Sequence, residues 1–293
     1  MRQEKETIVF QIIGYTIISI ISVGCLLPFV LLISASFTEE QSIYRYGYRI
    51  IPKVFSTEAY SIIFKAPQEI IRAYGVSTFI TLVGTVVGLF VSAMTAYVLL
   101  RKDFKYRNNF AFFFYFTSLF HGGLIPTYIL IVRYLNLKDS YLALILPPLL
   151  GSWNILLMRN FMRSVPETLA ESAKIDGAND FYIFRKIYMP LSIPGLATVG
   201  LFIALMYWND WYNAMLYIDS FKKYPLQYFL YNMLNSIRFA EIATSQSGIP
   251  FPDLPGESLK MAMAVVATGP IVFLYPYLQK YFIKGLTIGA MKG

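Results

Sequence analysis

The chain has 293 residues, 56% of them hydrophobic and 17% aromatic, with a mean hydropathy of +0.53. Only 14% are charged, against roughly 25% in an average soluble domain, which excludes a soluble globular enzyme and a disordered chain. The net charge is +8 and Cys25 is the single cysteine; a disulfide framework is excluded, and basic residues at the ends of apolar runs read as membrane-orienting loops, not as a nucleic-acid surface.

Six stretches of 19 or more residues hold no Asp, Glu, Lys or Arg, namely 7–38, 73–100, 108–132, 140–158, 187–209 and 261–279. Each is long enough to cross a hydrocarbon core of about 30 Å as a helix. They predict spans over about 8–34, 73–100, 109–132, 140–159, 190–218 and 261–281, so the chain reads as one all-α integral membrane domain over 1–293. The first stretch is too long for a signal-peptide core and follows basic residues, so it reads as an uncleaved anchor. The second carries Gly84, Gly88, Ser92 and Ala96 at four-residue spacing, a small-residue stripe that predicts close helix packing, within the chain or against a sister subunit. Pro28, Pro126, Pro147, Pro148, Pro194, Pro270 and Pro276 interrupt spans. Proline is tolerated in membrane helices where neighbours satisfy the freed carbonyls.

With both termini in the cytoplasm, the inner segments hold 14 Lys and Arg in 63 residues and the outer segments 11 in 88. Arg101, Lys102, Lys105 and Arg107 give the clearest inward signal. The outer segments 36–72 and 219–260 are long enough for small external structures, the second ending in a turn-rich Pro stretch over 249–256.

The loop 160–189 differs from the others. Ser164 to Glu167 has the form of a capping box, which starts a helix. Gly177 suits the left-handed position that ends it, and Asn179 or Asp180 caps a second short helix. Ala170, Ala173 and Gly177 share a small-residue face, suited to seating closely in a groove.

Glu171-Ser172-Ala173, then Gly177 after three residues, then Ile187-Tyr-Met-Pro190 after nine, resembles the EAA motif of binding-protein-dependent ABC importer permeases. Ser172 and Met189 depart conservatively from it. Gly122-Gly-Leu-Ile-Pro126, Met158-Arg-Asn-Phe161, Asp176-Gly177-Ala178, Tyr207-Trp-Asn209 and the tail 281–293 extend the likeness to the MalG-like carbohydrate permeases, most of all the LplC/YtcP branch. The resemblance implies a type I importer permease of six transmembrane helices with a cytoplasmic coupling helix in the bacterial cell membrane. It implies ATPase coupling through Glu171, Ser172, Ala173, Asp176, Gly177, Ala178 and Pro190. The implied partners are a sister permease, an ATPase dimer and an extracytoplasmic solute-binding protein in a lipid bilayer, with no nucleic acid. The implied cargo is an oligosaccharide or polysaccharide fragment. His121 stands where that branch has Asn.

No Gly-Lys dipeptide occurs, so the P-loop that cradles nucleotide phosphates is absent. The chain then is no enzyme and holds no cofactor; ATP and Mg belong to the partner ATPase. In the fifth span, Tyr207, Trp208, Asn209, Asp210 and Trp211 admit two readings: a solute path, with aromatic faces for sugar rings and polar groups for hydroxyls, or an interfacial belt. The alternatives are an importer of the same class carrying a peptide or other solute, and a stand-alone secondary transporter. The last calls for intramembrane carboxylates or an inverted repeat, and the spans contain only Asp210.

Overall fold

A charge-free stretch measures hydrophobicity, not helical continuity, and in this chain glycine, proline and polar pairs break several of the stretches. The computed structural model describes residues 2–65, 67–247 and 256–269. Among them every extended element is helical, and the one β feature is an isolated bridge between Thr38 and Phe55. The chain divides into two compact units, one of Met1–Pro67 with Asn232–Gly269, the other built around Gln68–Tyr231.

In the first unit the helix Arg2–Ser36 contains the apolar run Phe10–Ser36, whose most apolar window is not buried against the rest of the chain. Thr38 ends it by returning its hydroxyl to the Ser34 carbonyl at 2.8 Å. Phe37 then stacks between Phe55 and Tyr60, at ring distances of 5.5 and 4.7 Å. Two short helices follow, Glu40–Tyr46 and Glu58–Ile63. The Glu40 carboxylate accepts the backbone N–H of Glu257 at 2.7 Å and both the N–H and the hydroxyl of Ser258 at 2.9 and 2.8 Å. It thereby caps the helix over 257–269 by filling donors that a helix start leaves orphaned. Tyr48 donates to Glu257 at 2.7 Å, and that bond to a carboxylate, with burial added, pushes the phenol pKa up to about 12.

In the second unit the helix Pro67–Leu100 is the central post. Gly84, Gly88, Ser92 and Ala96 are all buried along it. A Cβ at Gly84 would lie 2.4 Å from the Tyr207 ring, and one at Gly88 would lie 3.1 Å from the Leu149 carbonyl oxygen. The small-residue stripe therefore serves packing inside this chain.

The third expected span is two helices, Arg107–Leu119 and Leu124–Tyr134, meeting at 111°. Phe120 is extended and Gly123 has φ +92°, a backbone state open mainly to glycine. The fourth is broken between Leu142–Ile145 and Ser152–Met162 by Pro147 and Pro148, which have no N–H to continue a helix. The fifth is a helix Ile193–Trp208, a break at Asn209 to Trp211, and a short helix Tyr212–Tyr217. The segment Asp180–Leu191 enters it at 85°. Among the described residues, two helices are long and apolar enough to cross a membrane, or four if each bent pair is one crossing. The segment 219–260 holds a 22-residue helix, Leu226–Ser247. Apolar residues at 226, 229, 230, 233 and 234 give it helical periodicity. The turn-rich stretch over 249–255, the sixth span beyond 269 and the tail 281–293 lie outside the described residues.

Candidate functional site

The EAA-like loop begins where the helix Ser152–Met162 ends. Ser164 gives its hydroxyl to the Phe161 carbonyl at 2.7 Å, closing that helix. The expected capping box does not form: Pro166 occupies the N-cap of the helix Glu167–Ile175, and no side chain caps it. Glu167 turns to Lys102 instead, at 2.5 Å. The helix ends at Gly177, φ +84°. Ala178 N–H donates to the Ala173 carbonyl at 2.9 Å and Gly177 N–H to that of Lys174 at 3.0 Å, the paired bonds of a Schellman motif. Asn179 caps the next turn by accepting the Tyr182 N–H at 2.8 Å. The helix Asp180–Ile183 runs through a π turn, Phe184–Tyr188, into Met189–Leu191.

The two faces of the Glu167–Ile175 helix are opposite to the sequence argument. Ala170 is fully buried, and Ala173 and Ala178 pack with it against the core of their own unit. Small residues here let the helix sit close to its own chain. The free face carries Glu171, Ser172, Asp176, Gly177 and an almost bare Ile175, 86% exposed. An apolar side chain so exposed beside carboxylates and a glycine turn is a surface fit to be covered. Pro190 is also exposed.

An ion-pair cluster ties this loop to the end of the Pro67–Leu100 helix. Asp103 receives Arg101 at 2.9 Å and Lys174 at 2.7 Å. Lys174 also approaches Asp180 at 3.5 Å, Arg101 lies 3.7 Å from it, and Tyr97 donates to it at 3.4 Å. Hydrogen bonds from Arg101, then Lys174, hold the Asp103 carboxyl well below the ordinary carboxylate range. Arg101 and Lys174 thus clamp the loop through one carboxylate. Asp103 and Lys102 were missed as site residues because the sequence shows them as neighbours in one short loop, not as partners of residues 71 and 65 positions away.

The five residues of the fifth span separate. Tyr207 is 3% exposed; its ring fills the notch over Gly84 and its hydroxyl donates to the Ile145 carbonyl at 2.7 Å. Trp208 is buried too and faces Tyr74 at 6.3 Å. Asp210 accepts both the backbone N–H and the side-chain amide of Asn213, at 3.0 and 2.7 Å, which starts the Tyr212–Tyr217 helix. Trp211, 37% exposed, stacks on Tyr231 at 4.5 Å. Only Asn209, Asp210 and Trp211 reach the surface of the chain. Among the described residues no group of three His, Cys, Asp or Glu side chains could hold a metal.

The sequence profile of the family described as binding-protein-dependent transport system inner membrane component matches residues 8–288. The chain belongs to this family. The permease is 41% identical over 97% of its length, and 98% of the relative's, to the polygalacturonan/rhamnogalacturonan transport system permease protein YtcP of Bacillus subtilis. It is 40% identical to Protein LplC of the same organism, over all of its own length and 98% of that relative's. A chain in the crystal structure of a bacterial ABC transporter involved in import of the acidic polysaccharide alginate superposes with a TM-score of 0.78 at 29% identity, covering 94% of the permease and 96% of that chain. The permease is accordingly an all-helical membrane component of an ABC transport system and not a catalytic subunit.

Proposed function

We propose that the chain is one permease half of an ATP-driven importer for an oligosaccharide or polysaccharide fragment. The names of its relatives, one a polygalacturonan/rhamnogalacturonan transport permease and one a transporter of the acidic polysaccharide alginate, support that cargo. A sister permease, an ATPase dimer that binds ATP and Mg, and an extracytoplasmic binding protein complete the assembly in the cytoplasmic membrane. The six proposed crossings are the two unbroken helices, the segments entered at 107, 142 and 193, and one entered at 257. Both termini are then cytoplasmic, and the loop 160–189 faces the ATPase. Asn209, Asp210 and Trp211 are the part of the fifth span offered to a solute.

The observation that carries the reading is the two-sided loop: one face locked by Ala170, Ala173 and Asp103, the other free at Glu171, Ser172, Ile175, Asp176 and Gly177. A helix held to its own chain on one side and free on the other transmits a push as a rigid body. Gly177→Val tests it. A Cβ there meets nothing within 4 Å in the chain, so the cost to folding is the left-handed strain, at least about 1–2 kcal/mol for a β-branched residue. In the reconstituted importer, uptake stimulated by the binding protein should fall at least about ten-fold, as for loss of an interface hot spot. Wild-type uptake by this variant would end the coupling role. Uptake by the chain alone, without an ATPase, would establish a secondary transporter instead.

A further inference from the structure

A cavity of about 650 Å³ opens between the segment after the Pro67–Leu100 helix and the entry to the EAA-like loop. Arg101, Lys102, Arg107, Arg159 and Arg163 line it, against the single carboxylate of Glu167. That carboxylate is taken by Lys102, and Arg101 by Asp103 and Asp180. Arg107, Arg159 and Arg163 have no carboxylate and no hydrogen-bond acceptor among the described residues, although Arg107 and Arg159 are half-buried. Drawing guanidinium groups out of water without a counter-charge is costly. Two such groups around one cavity, with the exposed Arg163 beside them, call for an anion. The remaining wall includes Leu100, Met162, Val165 and Tyr188, which suits an amphiphile better than a bare ion.

A second cavity, of about 540 Å³, lies at the same loop, between the ends of the Pro67–Leu100 and Arg107–Leu119 helices. Met94, Val98, Phe104, Phe110 and Phe114 line it. Its one hydroxyl, on Thr95, is spent on the Val91 carbonyl at 2.8 Å. This groove has nothing to offer a polar ligand. Arg101 and Arg107 bracket Phe104, so one short loop presents cations to the first cavity and an aromatic ring to the second.

We propose that the two cavities together hold one anionic glycerophospholipid, its phosphate among Arg107, Arg159 and Arg163 and an acyl chain along Met94, Val98, Phe110 and Phe114. Basic pockets between membrane helices recognise acidic headgroups, and each cation near a phosphate strengthens binding about five-fold. The lipid bridges the segment after the Pro67–Leu100 helix to the residues that lead into the Glu167–Ile175 helix. The proposal rests on the membrane-component family and not on the sugar cargo, and its test needs neither sugar nor ATPase.

The full-length chain, purified in mild detergent, is exposed to phosphatidylglycerol with a diazirine on its acyl chain, or to the phosphatidylcholine counterpart, then irradiated and mapped by peptide mass spectrometry. The glycerol lipid should label 91–98 and 110–114 in preference to the exposed helix surface over 10–33, and the choline lipid should not. Arg159→Gln should lower that labelling about five-fold, and Arg107→Gln/Arg159→Gln/Arg163→Gln should bring it to background. The single variant carries the test if the triple variant is not monodisperse. Equal labelling by the two lipids, or an unchanged Arg159→Gln, would overturn the proposal. So would displacement of the lipid by inorganic phosphate beyond what chloride of equal ionic strength achieves, which would assign the cations to a free anion.

Discussion

At the scale of single residues, Tyr207 performs two tasks that follow from the chemistry around it. The short helix Leu142–Ile145 stops before Pro147 and Pro148, and the Leu149 N–H that would have continued it onto the Ile145 carbonyl donates to the Leu146 carbonyl at 3.2 Å; the Tyr207 hydroxyl takes the Ile145 carbonyl at 2.7 Å. That geometry needs the ring to lie flat against the Pro67–Leu100 helix, and only glycine at 84 leaves the room. Tyr207→Phe should lower stability by about 1–3 kcal/mol, the cost of orphaning a buried carbonyl. Gly84→Ala should cost about 1–3 kcal/mol by overpacking, and Gly84→Ala/Tyr207→Leu should recover part of that by restoring room. Fluorescence-detected size exclusion after graded heating measures all three. Equal midpoints for Gly84→Ala and the wild type would refute the notch. The stripe at 84, 88, 92 and 96 was legible because small residues at one-turn spacing state a packing need whatever the partner. The partner was not legible, because Tyr207 stands 123 residues away and its aromatic neighbours suggested a path.

At the scale of elements, boundaries set by local backbone chemistry are readable in the sequence, and boundaries set by remote side chains are not. Gly177 ends its helix through a left-handed turn and Asn179 starts the next through its own side chain; both depend on residues within one turn. Ser164 failed as a cap because Pro166 moves the helix start and the preceding helix claims the hydroxyl. The helix over 257–269 is capped by Glu40, 217 positions away, which no local pattern announces. Glu40→Ala should destabilise the chain by about 1–2 kcal/mol, because two backbone donors lose a charged acceptor at a helix N-terminus. Glu40→Gln should lose less, since the amide oxygen still accepts. Hydrogen exchange over 257–262 is the direct measure, and protection unchanged in Glu40→Ala would show that the cap adds nothing.

At the scale of the whole second unit, two long helices and one loop close into a frame. The Pro67–Leu100 helix meets Ile193–Trp208 where Tyr207 seats on Gly84. Their connection through the loop is fixed at Asp103, which holds Arg101 from the first helix end and Lys174 from the Glu167–Ile175 helix. A displacement applied to Ile175 or Gly177 must then move both helices unless the Asp103 corner yields. Asp103→Asn keeps the shape and removes the charge that both cations use. In the reconstituted importer the sugar moved per ATP hydrolysed should fall, by no more than about five-fold because the cluster is open to solvent and such networks are modest, while assembly of the complex is unchanged. The pH behaviour follows from the depressed Asp103 pKa. Its stabilising contribution is complete above the ordinary carboxylate value near 4 and is lost only as pH falls through the depressed value. The wild-type ratio should therefore show no dependence on this group between about pH 5 and 8, and raising the salt concentration should reduce it toward that of Asp103→Asn by screening the same pairs. A ratio unaffected by both the substitution and salt would mean that the frame is held by Ala170, Ala173 and Ala178 alone.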